Sequence, residues 1–161
     1  MSEPTYPLKE LIVQAIAAKL ATIKVAAGYH VDVTAVVRPR RTGELFNPKA
    51  LGVAVIQGPE ERSPGDDAVG NPPAIGWRLA IDCCLVIRLS ESSDTPMDRA
   101  LNLFEADVRK ALMADSQWGG LALNTELGGT EYPLPTAGIE GVTVSLFVNY
   151  RVAENDPYVQ V

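Results

Sequence analysis

The chain has little of what enzyme and metal sites need. Its 161 residues include one histidine, His30, and two cysteines. A metal centre needs several converging histidine, cysteine or carboxylate ligands, and a catalytic triad needs a well-placed base. We therefore predict no enzymatic activity, no cofactor, no metal and no catalytic residues, and we interpret His30 as a surface or turn residue.

The two cysteines are adjacent, at positions 83 and 84. Neighbouring residues of a strand point to opposite faces, so these thiols are poorly placed to pair with each other. We interpret them as small buried or half-buried apolar residues. An intermolecular disulfide or a reactive thiol is the alternative. The scarcity of cysteine favours a cytoplasmic origin.

Basic residues and long apolar runs are also scarce. The chain has 14 Lys and Arg against 20 Asp and Glu, a formal net charge of -6. This balance argues against a general nucleic-acid binder, which needs clustered positive charge, but allows a surface along which DNA slides. No apolar run approaches the roughly 20 residues of a membrane span, and the first residues predict no signal peptide.

Two amphipathic helices are predicted from apolar residues at spacings of three and four. The first begins at Pro7 and is stopped by Gly28. The second has Thr95 as its N-cap and Pro96 at its first position, and it ends near Ala114.

Five strands are predicted between and after these helices, at residues 31–37, 51–56, 77–89, 120–127 and 139–152. The clearest is 77–89, where the odd-numbered residues form one apolar face and polar residues mark the other. The order α-β-β-β-α-β-β predicts a single α+β domain over residues 1–161. We expect an antiparallel or mixed sheet with both helices packed on one face.

Two long loops separate these strands, at residues 38–50 and 57–73. The second has four prolines, three glycines and an acidic balance. Because it can bury little apolar surface, we expect residues 59–74 to be mobile.

The two loops carry opposite charges. The basic cluster consists of Arg38, Arg40 and Arg41. The acidic residues of the second loop are Glu60, Glu61, Asp66 and Asp67. Opposite charges on separate loops of one chain suit head-to-tail contacts between copies. The alternatives are solvated loops and, for the arginines, a DNA contact.

A corner is predicted where the second helix meets the next strand. Trp118 is followed by Gly119 and Gly120, which can turn the chain. Trp118 either covers the edge of the core or contacts a neighbouring subunit.

The order of these motifs resembles that of the tail terminator proteins of long-tailed bacteriophages, also called tail completion or head–tail joining proteins. The matching parts are "FNP" before a strand that runs into "GPEE", the strand "WRLAIDCCLVIRL", the helix "ALNLFEADVRKALMAD", the corner "WGGLA" before "TELGG", and "VTVSLFVNYR" before "ENDPY". The resemblance covers roughly residues 45–158, and each motif is a structural feature rather than a reactive group.

The resemblance implies a structural subunit of the virion tail that is assembled in the host bacterial cytoplasm as a homo-oligomer, a hexameric ring. The ring caps the tail tube, ends tube polymerisation and provides the surface for head joining. Its implied partners are the tail tube protein, a head-connector or neck protein, and DNA that passes through the lumen without specific binding. Six copies would carry a formal charge of about -36, and a negative lumen would repel DNA.

Three alternatives remain beside this interpretation. The chain could be another neck or tail component, such as an adaptor or a tube-like protein. It could be a small enzyme that uses Cys84, Asp82 or His30. It could also be a bacterial protein of another role with the same fold.

Overall fold

The helices and strands follow the predicted order α-β-β-β-α-β-β along the chain, so the α+β fold class is confirmed. The computed structural model describes residues 5–39, 51–88, 93–132, 140–158 and 160. The helices are α1 (Leu8–Ala21) and α2 (Met97–Leu112), with short 3-10 turns at Val25–Ala27 and Pro64–Asp66. The strands are β1 (Ala35–Val37), β2 (Leu51–Arg62), β3 (Ala74–Ile87), β4 (Asn124–Glu131) and β5 (Glu140–Ala153).

The five strands form one mixed sheet in the order β1-β2-β3-β5-β4. The pair β1–β2 is parallel and the other pairs are antiparallel. The central strands β3 and β5 pair over their full length, from Ala74 opposite Ala153 at one end to Ile87 opposite Glu140 at the other. This long ladder sets the length of the subunit.

Alternation along the central strands decides which face of the sheet is buried. The odd-numbered residues of β3 from Leu79 to Ile87 and the even-numbered residues of β5 from Val142 to Val148 are at most 2% exposed. They share one core with both helices, in which Phe104 of α2 is fully buried. Both helices therefore cover the same side, as predicted. We call it the inner face, and the opposite side the outer face.

The first helix ends earlier than the sequence indicates. It starts after Pro7 as predicted but stops at Ala21, where the Thr22 hydroxyl donates a 2.6 Å hydrogen bond to the Lys19 carbonyl. Such local side-chain bonds compete with helix continuation. Gly28, with φ of 86°, ends the following 3-10 turn rather than the helix.

The second helix lacks the predicted side-chain cap. It begins at Met97 with Pro96 as its N-cap, which provides no side-chain cap, and the Asp98 carboxylate accepts the Arg99 N–H at 2.9 Å. The interpretation of Thr95 as the N-cap was therefore wrong. The missing cap is tolerated because the helix is held by its buried apolar face. Its end at Leu112 lies within two residues of the prediction.

The strand β2 continues six residues past its predicted end, through the first part of the predicted loop. A bulge between Gln57 and Glu60 shifts the register, and pairing with β3 then resumes. A side chain at Gly58 would lie 3.2 Å from the Ala80 carbonyl oxygen, so a glycine is needed for this close approach. Pro59 lies in the bulge, where a missing N–H is tolerated. The mobility of the remaining loop stays a prediction.

Two other strands start later than predicted. Strand β1 covers only residues 35–37, because the chain before it follows α1 and α2 instead of the sheet, with the Val33 N–H bonded to the Ile23 carbonyl. Strand β4 starts at Asn124 because residues before it form the Trp118 corner.

Candidate assembly surface

The outer face of the sheet has no helix packed on it in the described part of the chain. Among the described residues it is covered at one end, where the turn at Pro64–Asp66 lies against Gly76 and Arg151 donates to the Asp66 carbonyl. A sheet needs both faces covered only when both are apolar. The composition of the outer face therefore decides whether it suits water or a partner.

The outer face combines exposed and half-buried apolar side chains with a paired arginine and glutamate. Ile56 is 42% exposed, and Phe147 and Val86 are half-buried. The Arg78 guanidinium stacks 4.3 Å from the Phe147 ring centroid and lies 3.3 Å from a carboxylate oxygen of Glu126. Aromatic and arginine side chains of this kind are enriched at protein interfaces. This patch is the best candidate assembly surface of the described residues.

Two pairs of polar side chains on this face lie within contact distance of each other. The Ser145 hydroxyl donates a 2.6 Å hydrogen bond to Asp82, and the Thr143 hydroxyl lies 3.6 Å from the Cys84 sulfur. A partner could cover these groups without leaving them unpaired, which removes a large cost of burying polar atoms.

The two cysteines point to opposite faces, as predicted. Cys83 is fully buried on the inner face and Cys84 is half-buried on the outer face, and both are free thiols. Burial raises the pKa of each thiol, so neither is an activated nucleophile. Because His30 lies against α2 on the inner side, the sheet separates it from Cys84. The structure does not bring together the proposed Cys84–His30 pair.

Glu60 is a half-buried structural residue instead of an exposed loop charge. The bulge in β2 turns it to the inner face, where the Tyr150 hydroxyl donates a 2.6 Å hydrogen bond to it and Lys9 Nζ lies 3.6 Å away. Burial, together with this hydrogen bond to a carboxylate, raises the pKa of Tyr150. Glu60 therefore ties β2 to β5 and to α1.

The other acidic residues of this region differ in their hydrogen-bond and ion-pair partners. Asp66 accepts a 2.6 Å hydrogen bond from the Ser63 hydroxyl. Asp67 accepts the Gly76 N–H at 2.7 Å and pairs with Arg62 at 2.8 Å. Glu61 is exposed and has no hydrogen-bond or ion-pair partner among the described residues. An interface role for these carboxylates stays a prediction.

Arg38 binds a carboxylate of its own chain. Its two terminal nitrogens lie 2.5 and 3.0 Å from the two oxygens of Glu10 on α1. The hydrogen bond to Arg38 lowers the pKa of Glu10, and the same bond raises the pKa of Arg38. Arg40 and Arg41 lie outside the described residues. The predicted contact of this cluster with a partner is untested.

The corner at Trp118 is built from three successive residues with positive φ: Trp118 at 53°, Gly119 at 69° and Gly120 at 91°. The Asp115 carboxylate accepts the N–H groups of Gln117 at 3.0 Å and Gly119 at 2.6 Å. These backbone bonds, that from Gly119 most of all, lower the pKa of Asp115. The conformation, disfavoured for a residue other than glycine, is thus held by a side-chain cap.

The Trp118 side chain is packed inside the subunit. It is 6% exposed, and its indole N–H donates a 2.8 Å hydrogen bond to Thr125, whose hydroxyl donates in turn to the Ser116 carbonyl at 2.7 Å. This geometry corresponds to the alternative in which Trp118 covers the edge of the core of its own subunit. A contact of Trp118 with a neighbouring subunit stays a prediction.

Asp107 is a buried carboxylate to which the sequence analysis gave no role. It is 1% exposed and accepts the N–H groups of His30 at 2.6 Å and Val31 at 3.0 Å, while its other oxygen lies 3.0 Å from His30 Nδ1. The His30 side chain is 67% exposed, which confirms it as a surface residue. The sequence contains a signal for this buried position, because Asp107 falls on the apolar stripe of α2, between Phe104 and Ala111. It holds the segment before β1 against α2.

Residues 5–39, 51–88, 93–132, 140–158 and 160 contain neither a metal-binding cluster nor a membrane-spanning helix. In these ranges no three His, Cys, Asp or Glu side chains are grouped closely enough to hold a metal ion. None of the helices in the same ranges is long and apolar enough to cross a membrane.

The chain was compared with protein families, curated proteins and solved structures. No protein-family model and no curated protein matches the chain. Among solved structures, the chain is similar to a chain in the virion of the native gene transfer agent particle. The TM-score is 0.45 and the sequence identity is 12%, with 91% of this chain and 99% of that chain covered.

Proposed function

We propose that this chain is a structural subunit of a phage-like particle that acts as a tail terminator. Copies of it form a ring that caps the tail tube, ends tube polymerisation and presents the surface for head joining. The observation that supports the proposal is the outer face of the sheet, which is a mixed apolar and charged surface. The strands that form this face, together with α2, contain the motifs that resemble tail terminators.

The motifs that resemble tail terminators occupy the framework of the fold. The long-strand motif forms most of β3, the helix motif forms α2, and the last-strand motif forms most of β5. The motif "WGGLA" forms the corner at Trp118. The resemblance therefore falls on the elements that build the core and display the outer face.

The charged contacts of the proposed ring are fewer than the sequence analysis predicts. Four of the predicted contact residues already bind groups of their own chain: Arg38, Glu60, Asp66 and Asp67. We therefore assign the charged subunit contacts to Arg40, Arg41 and Glu61. Exposed pairs of this kind contribute about 0–1 kcal/mol each, so the ring depends mainly on apolar contacts such as those of Ile56.

The charge of the chain suits the proposed position on the tail. Six copies with a net charge of -6 give a ring of about -36. Such a ring would let DNA pass without binding it. The tail tube protein and a head-connector protein are the proposed partners on its two sides.

The mass of the assembled protein tests the ring. Six chains of 17.3 kDa have a mass of about 104 kDa, which native mass spectrometry resolves from smaller assemblies. We expect Ile56→Asp to abolish the ring while circular dichroism stays unchanged. Val25→Asp is the matched control, because Val25 is also an exposed apolar residue, at 55%, but lies away from the outer face. A wild-type chain that stays monomeric with and without tail tubes would contradict the proposal.

A further inference from the structure

One face of α2 presents apolar and basic side chains to solvent. Residues spaced by three and four positions lie on one face of a helix. The exposed residues with this spacing are Arg99, Leu103, Ala106, Lys110 and Met113, the last at the end of the helix. Leu103 is 37% exposed and Met113 is 41% exposed. We call these five residues the α2 stripe.

The α2 stripe carries positive charge that no ion pair of the described residues neutralises. The Arg99 side chain has no hydrogen bond or ion pair with another described residue. Lys110 has neutral partners, since its Nζ donates to the Gly28 carbonyl at 3.0 Å and lies 4.9 Å from the Tyr29 ring centroid. Asp98 is next to Arg99, but neighbouring positions of a helix point about 100° apart. The stripe therefore suits a partner surface that is both apolar and acidic.

A pocket with these properties lies at one end of the sheet. It is beside the pair Ala74–Ala153 and has a volume of about 340 Å³. Its apolar wall includes Val69, Pro73, Ala74 and Ile75. Val69 is fully exposed, so the pocket is open to solvent. Small-molecule sites enclose most of their ligand, so an open pocket of this size is better suited to protein side chains. We call it the end pocket.

Glu154 gives the end pocket its charge. Arg62 and Asp67 also line the pocket, but they pair with each other at 2.8 Å. Glu154 is exposed, and its carboxylate has no partner among the described residues. Its backbone N–H donates to the Pro73 carbonyl at 2.9 Å, which holds Glu154 at the pocket wall. The end pocket therefore offers an apolar wall beside one unpaired carboxylate.

We propose that the end pocket binds the α2 stripe of a second copy, with Leu103 against the apolar wall and Arg99 paired with Glu154. Arg99 and Leu103 are one helical turn apart, so both side chains can enter one pocket. An amphipathic helix face that lies in an apolar groove is a recurring mode of protein recognition. An arginine can form two hydrogen bonds with one carboxylate, which also fixes the orientation of the contact.

The α2 stripe cannot reach the end pocket of its own chain. Glu105, two residues after Leu103, accepts a 2.7 Å hydrogen bond from the Tyr132 hydroxyl. Tyr132 directly follows β4, whose last residue pairs with Thr143 of β5. Ten residue steps along β5, or about 34 Å, separate Thr143 from Ala153 at the pocket. An occupant that comes from the stripe must therefore belong to a second copy.

The contact is head-to-tail, because it joins two different surfaces of the chain. Head-to-tail contacts generate rings where the rotation closes. The inference deepens the proposed function by adding a second contact between copies to that of the outer face. It rests on the proposed function for closure into a ring of six, but not for the contact itself.

Thiol cross-linking tests which surfaces meet. In a Cys84→Ser background, the double variant Val69→Cys with Leu103→Cys is treated with a short bis-maleimide and resolved by denaturing electrophoresis. Cys83 is fully buried and is protected from the reagent in the folded protein. We expect a ladder beyond the dimer, since each copy offers one thiol to each neighbour. An equimolar mixture of the two single variants should stop at the dimer, and each single variant alone should stay monomeric.

The products separate the contact from the ring. A ladder that ends at six chains supports both, whereas a ladder of another length supports the contact and contradicts the hexamer. A double variant without cross-links, although the untreated protein assembles, would overturn the contact and leave the ring standing. A dimer from Leu103→Cys alone would mean that two α2 stripes face each other, which also overturns the contact. An untreated protein that is monomeric with and without tail tubes would contradict both.

Exchange of the two charges provides a second measurement. Arg99→Glu and Glu154→Arg each place like charges opposite one another, and each should weaken self-association at least about threefold in sedimentation velocity, with an unchanged circular dichroism spectrum. The double variant restores opposite charges and should return to within about twofold of the wild type.

The matched control combines Arg99→Glu with Glu131→Arg. It makes the same change in net charge, and Glu131 is exposed and unpaired among the described residues but lies beside Thr143, far from the end pocket. Self-association of this control should stay weakened. Recovery in both double variants, or in neither, would contradict the pairing of Arg99 with Glu154.

Discussion

The two faces of the sheet are made by the same strands but differ in what their side chains contact. On the inner face, aliphatic residues such as Leu79 and Val144 are fully buried against the helices. On the outer face, Arg78, Glu126 and Phe147 contact one another and stay partly exposed. The inner face thus supplies the hydrophobic free energy of folding, and the outer face leaves side chains exposed for the proposed assembly.

This difference predicts that substitutions on the two faces affect different measurements. An inner-face substitution should lower the free energy of unfolding of the single chain. An outer-face substitution should leave most of that free energy unchanged and should weaken assembly instead. The following predictions test this separation, from the largest expected effect to the smallest.

The largest effect is expected from a matched pair of phenylalanine truncations. Phe104→Ala leaves a cavity beneath the helices and should lower the free energy of unfolding by about 3–5 kcal/mol. Phe147→Ala removes a partly exposed ring and its contact with Arg78, and should cost about 1 kcal/mol. Urea unfolding of the monomeric protein measures both. Equal losses would mean that the outer face is as well packed as the inner face.

Asp107 is a charged exception on the inner side, and its removal should have the next largest effect. Asp107→Ala leaves the N–H groups of His30 and Val31 without their acceptor and should cost about 1–3 kcal/mol. Asn102→Ala is the matched control, since Asn102 has a side chain of the same size and is exposed on the same helix, and it should change stability by less than about 0.5 kcal/mol. Similar losses in the two variants would show that the carboxylate of Asp107 does not hold the segment before β1.

Trp118 tests whether a buried residue also takes part in assembly. Trp118→Phe keeps an aromatic ring but loses the indole hydrogen bond to Thr125, and should cost about 1–2 kcal/mol. Because Trp118 packs within its own subunit, we expect the mass of the assembly to be unchanged. Loss of assembly in a stably folded Trp118→Phe protein would instead place this residue in a subunit contact.

The smallest effect is expected at the surface pair of Glu10 and Arg38. Glu10→Gln should lower stability by about 0–1 kcal/mol at neutral pH, as for other exposed ion pairs. The folded-state pKa of Glu10 is lowered, so its contribution is complete above the usual glutamate pKa and is lost as the pH falls through the lowered value. Unfolding curves of the two proteins should therefore converge in acid. A stability difference that grows as the pH falls would contradict the pairing.

Local patterns predict much of the fold. Period-two alternation assigned the faces of β3 and β5, and the apolar stripes located both helices, because each of these signals lies within one element. The predicted β2 ends six residues too early, because the bulge that lets the strand continue depends on a close approach to Ala80, a residue of another strand.

The candidate site was harder to predict for the same reason. The partner of Arg38 is 28 residues away in sequence, and that of Asp107 is 76 or 77 residues away. Charge clusters in a sequence do not show which charges the chain itself will pair. Glu61 and Glu60 are neighbours in sequence, yet only Glu60 is held within the subunit among the described residues.

The length of tail tubes assembled in vitro tests the central claim most directly. Tube protein of the same particle is polymerised with and without this chain, and tube lengths are measured by electron microscopy. With the wild-type chain and with Val25→Asp we predict short tubes that carry a ring at one end and do not lengthen when more tube protein is added. Ile56→Asp should leave tubes as long as those without the chain. Tubes of equal length with and without the wild-type protein, under conditions where it forms rings, would contradict the assignment as a tail terminator.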